Sequence, residues 1–281
     1  METVGVRSMG GVRVRAMEPA DHPAVLVLIA ADLLPGQPVP DTYLLAAPAR
    51  DGLAETSTLV LTDTRDVVQG VVHCASRPSD GAGLIGWIHA HENFDALAAL
   101  LATARAHLAS ARTLFAGTGP TQPPETVPFA LPGIAEHRRP ATSRALRAAG
   151  FTPATSRRYF HHPLTSTPTA PVFPMAELRP LADPPGVQVI LTETDGTDLA
   201  TAVLHIEDGD RWLLWHLAVR ADRRHRGIGS HLLAQCLHTA HTRGASSVIA
   251  HTNEDDTTSI ALLTRGGFTS VDTLTVYHRR P

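Results

Sequence analysis

One stretch, Val219 to Leu237 (VRADRRHRGIGSHLLAQCL), sets the narrowest limits on what this chain can fold into. An apolar run from Trp212 to Val219 leads into Arg224-His225-Arg226-Gly227-Ile228-Gly229-Ser230. Apolar residues then recur at Ile228, Leu232, Leu233, Cys236 and Leu237 with helical spacing. The pattern predicts a strand, a glycine turn and a helix in that order. The glycines let the backbone approach a ligand closely, and the first N–H groups of the helix point outward at the positive end of its dipole. A bland strand-to-helix connection uses Gly too, but Arg224 and Arg226 add the charge that a phosphate or pyrophosphate wants.

On these residues the chain resembles the GNAT family of N-acyltransferases, whose acyl-CoA motif is Arg/Gln-x-x-Gly-x-Gly/Ala opening a helix. Downstream, SIALLTRGGF from Ser259 to Phe268 is similar to the family's second segment, a helix ending in Gly-Phe before the last strands. The resemblance implies acetyl-CoA as co-substrate, held by Arg224, His225, Arg226, Gly227, Ile228, Gly229 and Ser230, with Asn253 ahead of the second segment and Ser259 at its start. It also implies that the fourth strand splays from the fifth, so that the backbone at Leu217, Ala218 and Val219 holds the pantetheine and the acetyl carbonyl.

The 281 residues suffice for two such domains, and 43% hydrophobic with 18% charged residues is an ordinary soluble composition. A net charge of -3 with no basic block argues against nucleic acid, and no long apolar span argues for a membrane. Ala24 to Leu34 is apolar, but Glu18, Asp21, His22 and Pro23 precede it and no cleavage site follows, so a helix is expected rather than a signal peptide, and a cytoplasmic location with it. Cys74 and Cys236 form neither a disulfide framework nor a zinc pattern, and the 16 His lack ligand spacing; no metal is expected. Every cationic side chain other than His is Arg.

In chain order, Val12 to Arg15 reads as a strand, Thr58 to Thr62 and Val67 to Cys74 as a hairpin about Asp63-Thr64-Arg65-Asp66, and Leu84 to His89 as a third strand. A helix follows from Phe94, then a strand at Thr113 to Ala116. The Pro- and Gly-rich insert Gly117 to Pro140 precedes a brief helix near Thr142 to Ala149, the pair Gly150-Phe151, and a strand at Arg157 to His162. Pro163 to Pro174 reads as a linker. Beyond it, Glu177 to Arg179, Val187 to Leu191, Leu199 to Ile206 and Arg211 to Val219 form a meander through Asp195-Gly196 and Asp208-Gly209. Ser247 to Ala250, Thr258 to Arg265, Gly267-Phe268 and Ser270 to His278 complete it.

Both halves share strand, strand, strand, helix, strand, helix, Gly-Phe, strand, with the Gly-Phe pairs about 117 residues apart. The expected fold class is therefore α/β (α+β): two tandem GNAT-like domains, each a mixed, mostly antiparallel sheet flanked by helices. Residues 1–162 would be a degenerate domain, 163–174 the linker and 175–281 the acetyl-CoA-binding domain. In the second domain Asp183-Pro184-Pro185-Gly186 stands where the family carries its first helices. In the first, the loop reads His89-Ala90-His91-Glu92-Asn93-Phe94-Asp95; Glu92 and Asp95 in a first helical turn already complement the dipole and repel pyrophosphate.

The family's usual carboxylate base falls on Leu213 or Trp215 and its usual Tyr on Leu263, so both groups are absent. His216 beside the carbonyl-binding segment is the candidate base, although a lone strand His is more often a structural residue, and Tyr277 and His251 are further candidates. The expected function is transfer of an acetyl group to a primary amine of a small molecule, as a monomer or homodimer. The run Asn253-Glu254-Asp255-Asp256 suggests a cationic acceptor, unless it only caps a helix. The alternatives are a CoA-binding protein without turnover and an acyltransferase acting on a protein N-terminus.

Overall fold

A computed structural model describes residues 11–37, 39, 41, 45, 52–117, 131–165, 175–208 and 210–280. Most of the expected linker at Pro163 to Pro174, residues 118–130 of the insert and Gly209 of the Asp208-Gly209 turn lie outside them. Contacts divide the chain into two compact units. The first gathers Met1–Leu33, Val39–Arg157 and Asp272–Pro281, and the second Leu34–Pro38 and Arg158–Val271. This division departs from the boundaries expected at 162 and 175, because the end of the last strand pairs within the first unit.

The first unit contains β1 (Arg13–Ala16), α1 (His22–Ala31), β2 (Ala54–Thr62), β3 (Val68–Arg77), β4 (Ala82–His89), α2 (Phe94–His107), β5 (Thr113–Ala116), β6 (Ile134–Ala135) and α3 (Pro140–Ala148). It also takes the start of β7 (Thr152–Pro163) and the end of β13 (Thr269–Arg279). The sheet runs β1-β2-β3-β4-β5-β13-β7 with β6 against β13, antiparallel where β2 meets β3 and β3 meets β4, parallel between β4 and β5. The β2–β3 turn closes on Asp63, whose carboxylate accepts from the Arg65 and Val67 amides at 2.8 and 3.0 Å. Alternation divides the sheet's side chains: Leu59, Leu61, Val72 and Cys74 pack under α2 and α3, while Val60, Val71 and Trp87 pack against Val25, Leu28 and Ile29 of α1. Every residue of β4 is buried, as a strand covered on both faces must be.

The second unit contains β8 (Glu177–Ala182), β9 (Pro185–Thr192), β10 (Asp198–Asp208), β11 (Arg211–Val219), α4 (Ile228–Thr242), β12 (Ser247–Asn253) and α5 (Thr257–Arg265), with the end of β7. Its sheet runs β7-β12-β11-β10-β9-β8, antiparallel from β11 to β8 and parallel between β11 and β12. The segment Asp183–Pro184 with a cis bond joins β8 to β9 as a tight turn, in place of opening helices. Val187, Val189, Ala202, Leu204, Trp212 and Leu214 face α4 through Leu232, Leu233 and Cys236.

Both units carry the same irregularity at the same place. In the first, His73 opposes Trp87 while Cys74 opposes Ile85, so Gly86 is an extra residue in β4. In the second, Val203 opposes His216 while Leu204 opposes Leu214, so Trp215 is an extra residue in β11. A bulge bends its strand and disrupts the local ladder. In each unit the parallel pairing stops just before it, at Ile85↔Ala116 and Leu214↔Ala250, although β4, β11 and β12 continue beyond.

Candidate functional site

In the second unit β11 and β12 part company after Leu214 and Ala250. Arg220 donates its amide to the Leu199 carbonyl at 3.0 Å, so the strand's alternation turns Ala218 toward Thr201 of β10 and turns the N–H and C=O of Leu217 and Val219 to the edge β12 has left. Of the three residues expected to bind through the backbone, two thus present their polar groups to the opening. The Val219 carbonyl accepts from Arg224 Nε at 3.1 Å, which ties the arginine loop to this edge.

The loop itself is built for an anion. His225 and Gly227 have φ of 60° and 80°, and Gly227 is the residue before the first turn of α4. No side chain caps that turn, so the amides of Ile228, Gly229 and Ser230 remain directed outward. The two glycines differ in kind. A Cβ on Gly227 would meet nothing within 4 Å, so only its backbone conformation requires Gly; a Cβ on Gly229 would sit 3.6 Å from Val219 and Leu262, an ordinary contact.

Leu217, Ala218, Val219, Arg224, His225, Gly227, Ile228, Gly229, Ser230 and Ser259 together line a cavity of about 580 Å³. Arg226 and Asn253 do not line it; both are exposed beside it in sequence. Arg223, Asp256, Thr258, Leu262 and Arg265 line it as well, and sequence reading missed them. Reading α5 at its helical spacing from Thr258 to Leu262 and Arg265 was the available signal. Asp256 caps α5, accepting from the Ser259 amide at 3.0 Å and the Ser259 hydroxyl at 2.6 Å, and these bonds hold its carboxyl below the usual carboxylate range. One member of the acidic run is therefore a cap, whereas Glu254 and Asp255 are exposed. Leu263 is a core residue and the neighbouring Leu262 faces the cavity, so the position is apolar either way.

His216 is exposed, opposite Val203 and next to the open edge, and does not line the cavity. Tyr277 belongs to the first unit: it pairs with Ala116, is fully buried, and donates its hydroxyl to Glu136. Burial and the Glu136 carboxylate push its hydroxyl up to about 12. Both thiols are buried and pushed up to about 12 by that burial, so neither Cys74 nor Cys236 is a thiolate able to carry an acyl group. Among the described residues no cluster of three metal-ligating side chains occurs.

The corresponding place in the first unit is filled by the chain's own side chains. Ile88 follows the Gly86 bulge as Leu217 follows Trp215, and its carbonyl accepts from the buried Arg139 guanidinium. Arg139 Nε lies 3.3 Å from Asp32 and 3.6 Å from Glu92, and Asp32 holds His89 Nδ1 at 2.6 Å. Glu92 has φ of 54° and lies before α2 rather than in its first turn as expected; its carboxylate instead accepts from the Ala141 and Thr142 amides of α3 at 2.6 and 3.1 Å. Asn93 caps α2, accepting from Asp95 and Ala96 at 3.1 and 3.2 Å. Edge carbonyl and both helix starts are thereby satisfied internally.

Residues 155–268 match the family model of the Acetyltransferase (GNAT) family. Among solved structures, a GCN5-related N-acetyltransferase from Sphaerobacter thermophilus superposes with a TM-score of 0.66 at 17% identity over 96% of each chain. A tandem GNAT protein from the clavulanic acid biosynthesis pathway gives 0.66 at 15% identity over 96% of this chain and 98% of its own. A glucosamine N-acetyltransferase region of a fungal multi-domain β-N-acetylglucosaminidase gives 0.59 at 12% identity, over 96% of this chain and 38% of that one. No curated protein matches the sequence. The segment that matches the GNAT family model thus spans the open strand edge, the arginine loop and α5, and the chain as a whole has the fold of these solved structures, a tandem GNAT protein among them.

Proposed function

We propose that this protein is an acyl-CoA-dependent N-acyltransferase that moves the acetyl group of acetyl-CoA to a primary amine of a small, cationic molecule. The observation that carries the reading is the meeting, in one cavity, of the Leu217 and Val219 backbone edge with the uncapped start of α4. The chemistry of these donors fits the cosubstrate. Backbone amides at a positive helix end suit a pyrophosphate, Arg224 and Arg265 supply charge, and a strand edge pairs with an amide-bearing arm. Hydrogen-bond donors fixed along that edge also stabilise the negative charge that develops on a thioester carbonyl under attack. Glu254 and Asp255, exposed after β12, supply the attraction for a cationic acceptor.

The test has two arms. Calorimetry with acetyl-CoA should show binding, and thiol release should follow when an amine panel is added; glucosamine leads the panel because one structural relative bears a glucosamine N-acetyltransferase region. Glu254→Gln with Asp255→Asn should raise the acceptor KM and flatten its salt dependence, leaving the acetyl-CoA KM unchanged. One observation favours a second reading, CoA binding without turnover: Leu213, Trp215 and Leu263 stand where acid and base groups would be wanted. Binding with no thiol release for any amine decides for it.

A further inference from the structure

Two arginines of the segment that leads into α4 share one carboxylate and use their hydrogen-bond donors in opposite ways. Glu193 follows β9 in the turn to β10, and its carboxylate lies 3.0 Å from Arg220 Nη2 through one oxygen and 2.8 Å from Arg223 Nε through the other. The turn that carries it is fixed by its own bonds. The Glu193 amide donates to the Thr197 carbonyl at 2.8 Å, the Gly196 amide to the Glu193 carbonyl at 3.0 Å, and Asp195 accepts from the Thr197 amide and hydroxyl at 2.9 and 2.7 Å. Arg220 precedes and Arg223 ends the single 3-10 turn Ala221–Arg223, so one side chain on a closed hairpin spans the turn that opens the arginine loop.

Arg220 commits its donors to the protein. Its Nε and Nη2 donate to Asp222 at 2.8 and 3.3 Å and its Nη1 to the Thr197 hydroxyl at 3.3 Å, and it does not line the cavity. Arg223 does line the cavity, and its Nε, shielded from solvent, has no hydrogen-bond acceptor among the described residues. The Glu193 oxygen is close enough to pair with its charge but lies off the direction of the N–H bond, so the contact is an ion pair and not a hydrogen bond. Asp222 comes only within 3.6 Å of the same nitrogen. A guanidinium carries five donors in a fixed fork, so Arg223 is anchored by its charge while donors stay open to a ligand rich in acceptors. The ligand that the uncapped start of α4 suits is of that kind, a phosphate. Charge points the same way: Arg220, Arg223, Arg224 and Arg226 stand within seven residues with Asp222 the one carboxylate among them, and Glu193 supplies a second negative charge from outside the loop.

Resting on the transferase reading above, we propose that Arg223 donates to a phosphate group of the cosubstrate and that Glu193 is a positioning residue, holding Arg223 at the cavity wall before the ligand arrives. Two effects of the Glu193 carboxylate oppose each other. Its negative charge repels a phosphate, whereas its grip on Arg223 spares the ligand the ordering of a long side chain. Ordering wins, because two guanidinium groups within 3.0 Å already neutralise the carboxylate and leave little of its field for the ligand to feel.

The experiment is a double-mutant cycle in the full-length protein with Glu193→Gln, Arg223→Met and the two combined, read by calorimetry with CoA, thermal melting and the KM for acetyl-CoA. Arg223→Met should weaken CoA by about 10–100-fold, the range of one charge-assisted bond. Glu193→Gln should weaken it by about 3–10-fold, the ordering of one long side chain. In the Arg223→Met background the same change should have no further effect, which is the coupling expected of a residue that acts through Arg223. Both losses should appear in the KM for acetyl-CoA more than in kcat, and Glu193→Gln should melt near the wild type because pairs this exposed add little stability. Dephospho-CoA locates the contact. A loss from Arg223→Met that persists assigns it to the pyrophosphate, one that disappears assigns it to the 3′-phosphate, and both support the proposal. Glu193→Gln that tightens CoA, or that costs the same factor with and without Arg223, overturns the positioning role, and Arg223→Met with wild-type affinity overturns the phosphate contact; neither touches the transferase reading. A wild type that binds no CoA overturns that reading and the proposal together.

Discussion

Gly227 and Gly229 sit two residues apart in one motif, but the backbone requires glycine only at Gly227, which makes them separable by substitution. Gly227 is left-handed with open space around it, so Gly227→Ala strains the backbone by about 1–2 kcal/mol and should lower both the melting temperature and CoA affinity. Gly229→Ala meets only ordinary contacts, so folding should be unchanged and any lost affinity would report how closely the ligand approaches. Reversing charge at Arg224 should weaken CoA by a few kcal/mol, since charge-assisted phosphate bonds are each worth roughly 1.5–3 kcal/mol. Isothermal titration with thermal melts checks all three. The motif was legible because its glycines and arginines are contiguous, whereas Arg265 and Leu262 reach the same cavity only because α5 turns that face toward it.

At the scale of the element, the informative piece is β11. Its hydrophobic run predicts a strand but not which amides face outward, because that depends on the pairing with β10 and on the bulge at Trp215. Val219→Pro removes an amide directed to the open edge and should weaken CoA while the fold survives. Ala218→Pro removes one directed at β10 and should unfold the unit. Equal effects from the two, measured by circular dichroism and calorimetry, would show that the alternation inferred from the Arg220 amide is wrong. The short strand β6 escaped sequence reading for the same reason: Ile134 and Ala135 lie in a Pro- and Gly-rich insert and form a strand only by pairing with Thr275 and Leu274.

For the whole molecule, one CoA per chain is expected, because the first unit satisfies its own strand edge and helix starts through Arg139, Glu92 and Asn93; a titration with two equivalent sites would overturn this. Arg139→Met leaves the buried Asp32 and the half-buried Glu92 without their cation and should destabilise by about 3–5 kcal/mol in chemical denaturation. Acid should act through the same unit. Burial pushes His89 down to about 4, aided by Arg139 and opposed by Asp32, and burial alone does the same to His73. The unfolded chain then binds protons that the folded one refuses, so stability falls as pH drops from about 6.5 toward 4. Burial raises the Asp32 pKa, but His89 and Arg139 outweigh it and hold it low, so Asp32 adds a loss of the same sign at more acid pH. His89→Asn and His73→Asn should flatten this slope, measured by denaturant titration across the range. A fragment ending at residue 162 lacks Tyr277, a member of the first core, and should fail to fold as a soluble unit.

What the sequence determined by itself was local. Strand, loop and helix identities follow from periodicity, turn residues and the Arg-x-x-Gly-x-Gly spacing, and these are properties of neighbouring residues. The repeat of element order revealed two related halves. Only the tertiary structure decided where the halves exchange chain, since the affinity of β13 for β5 resides in backbone hydrogen bonds any sequence can offer. It also decided which edge groups are free, that Glu92 caps α3 instead of complementing α2, and that Tyr277 is a core residue of the first unit. Each of these depends on a partner distant in sequence, Ala141 for Glu92 and Ala116 for Tyr277, and a pattern read along the chain carries no record of what will lie across from it.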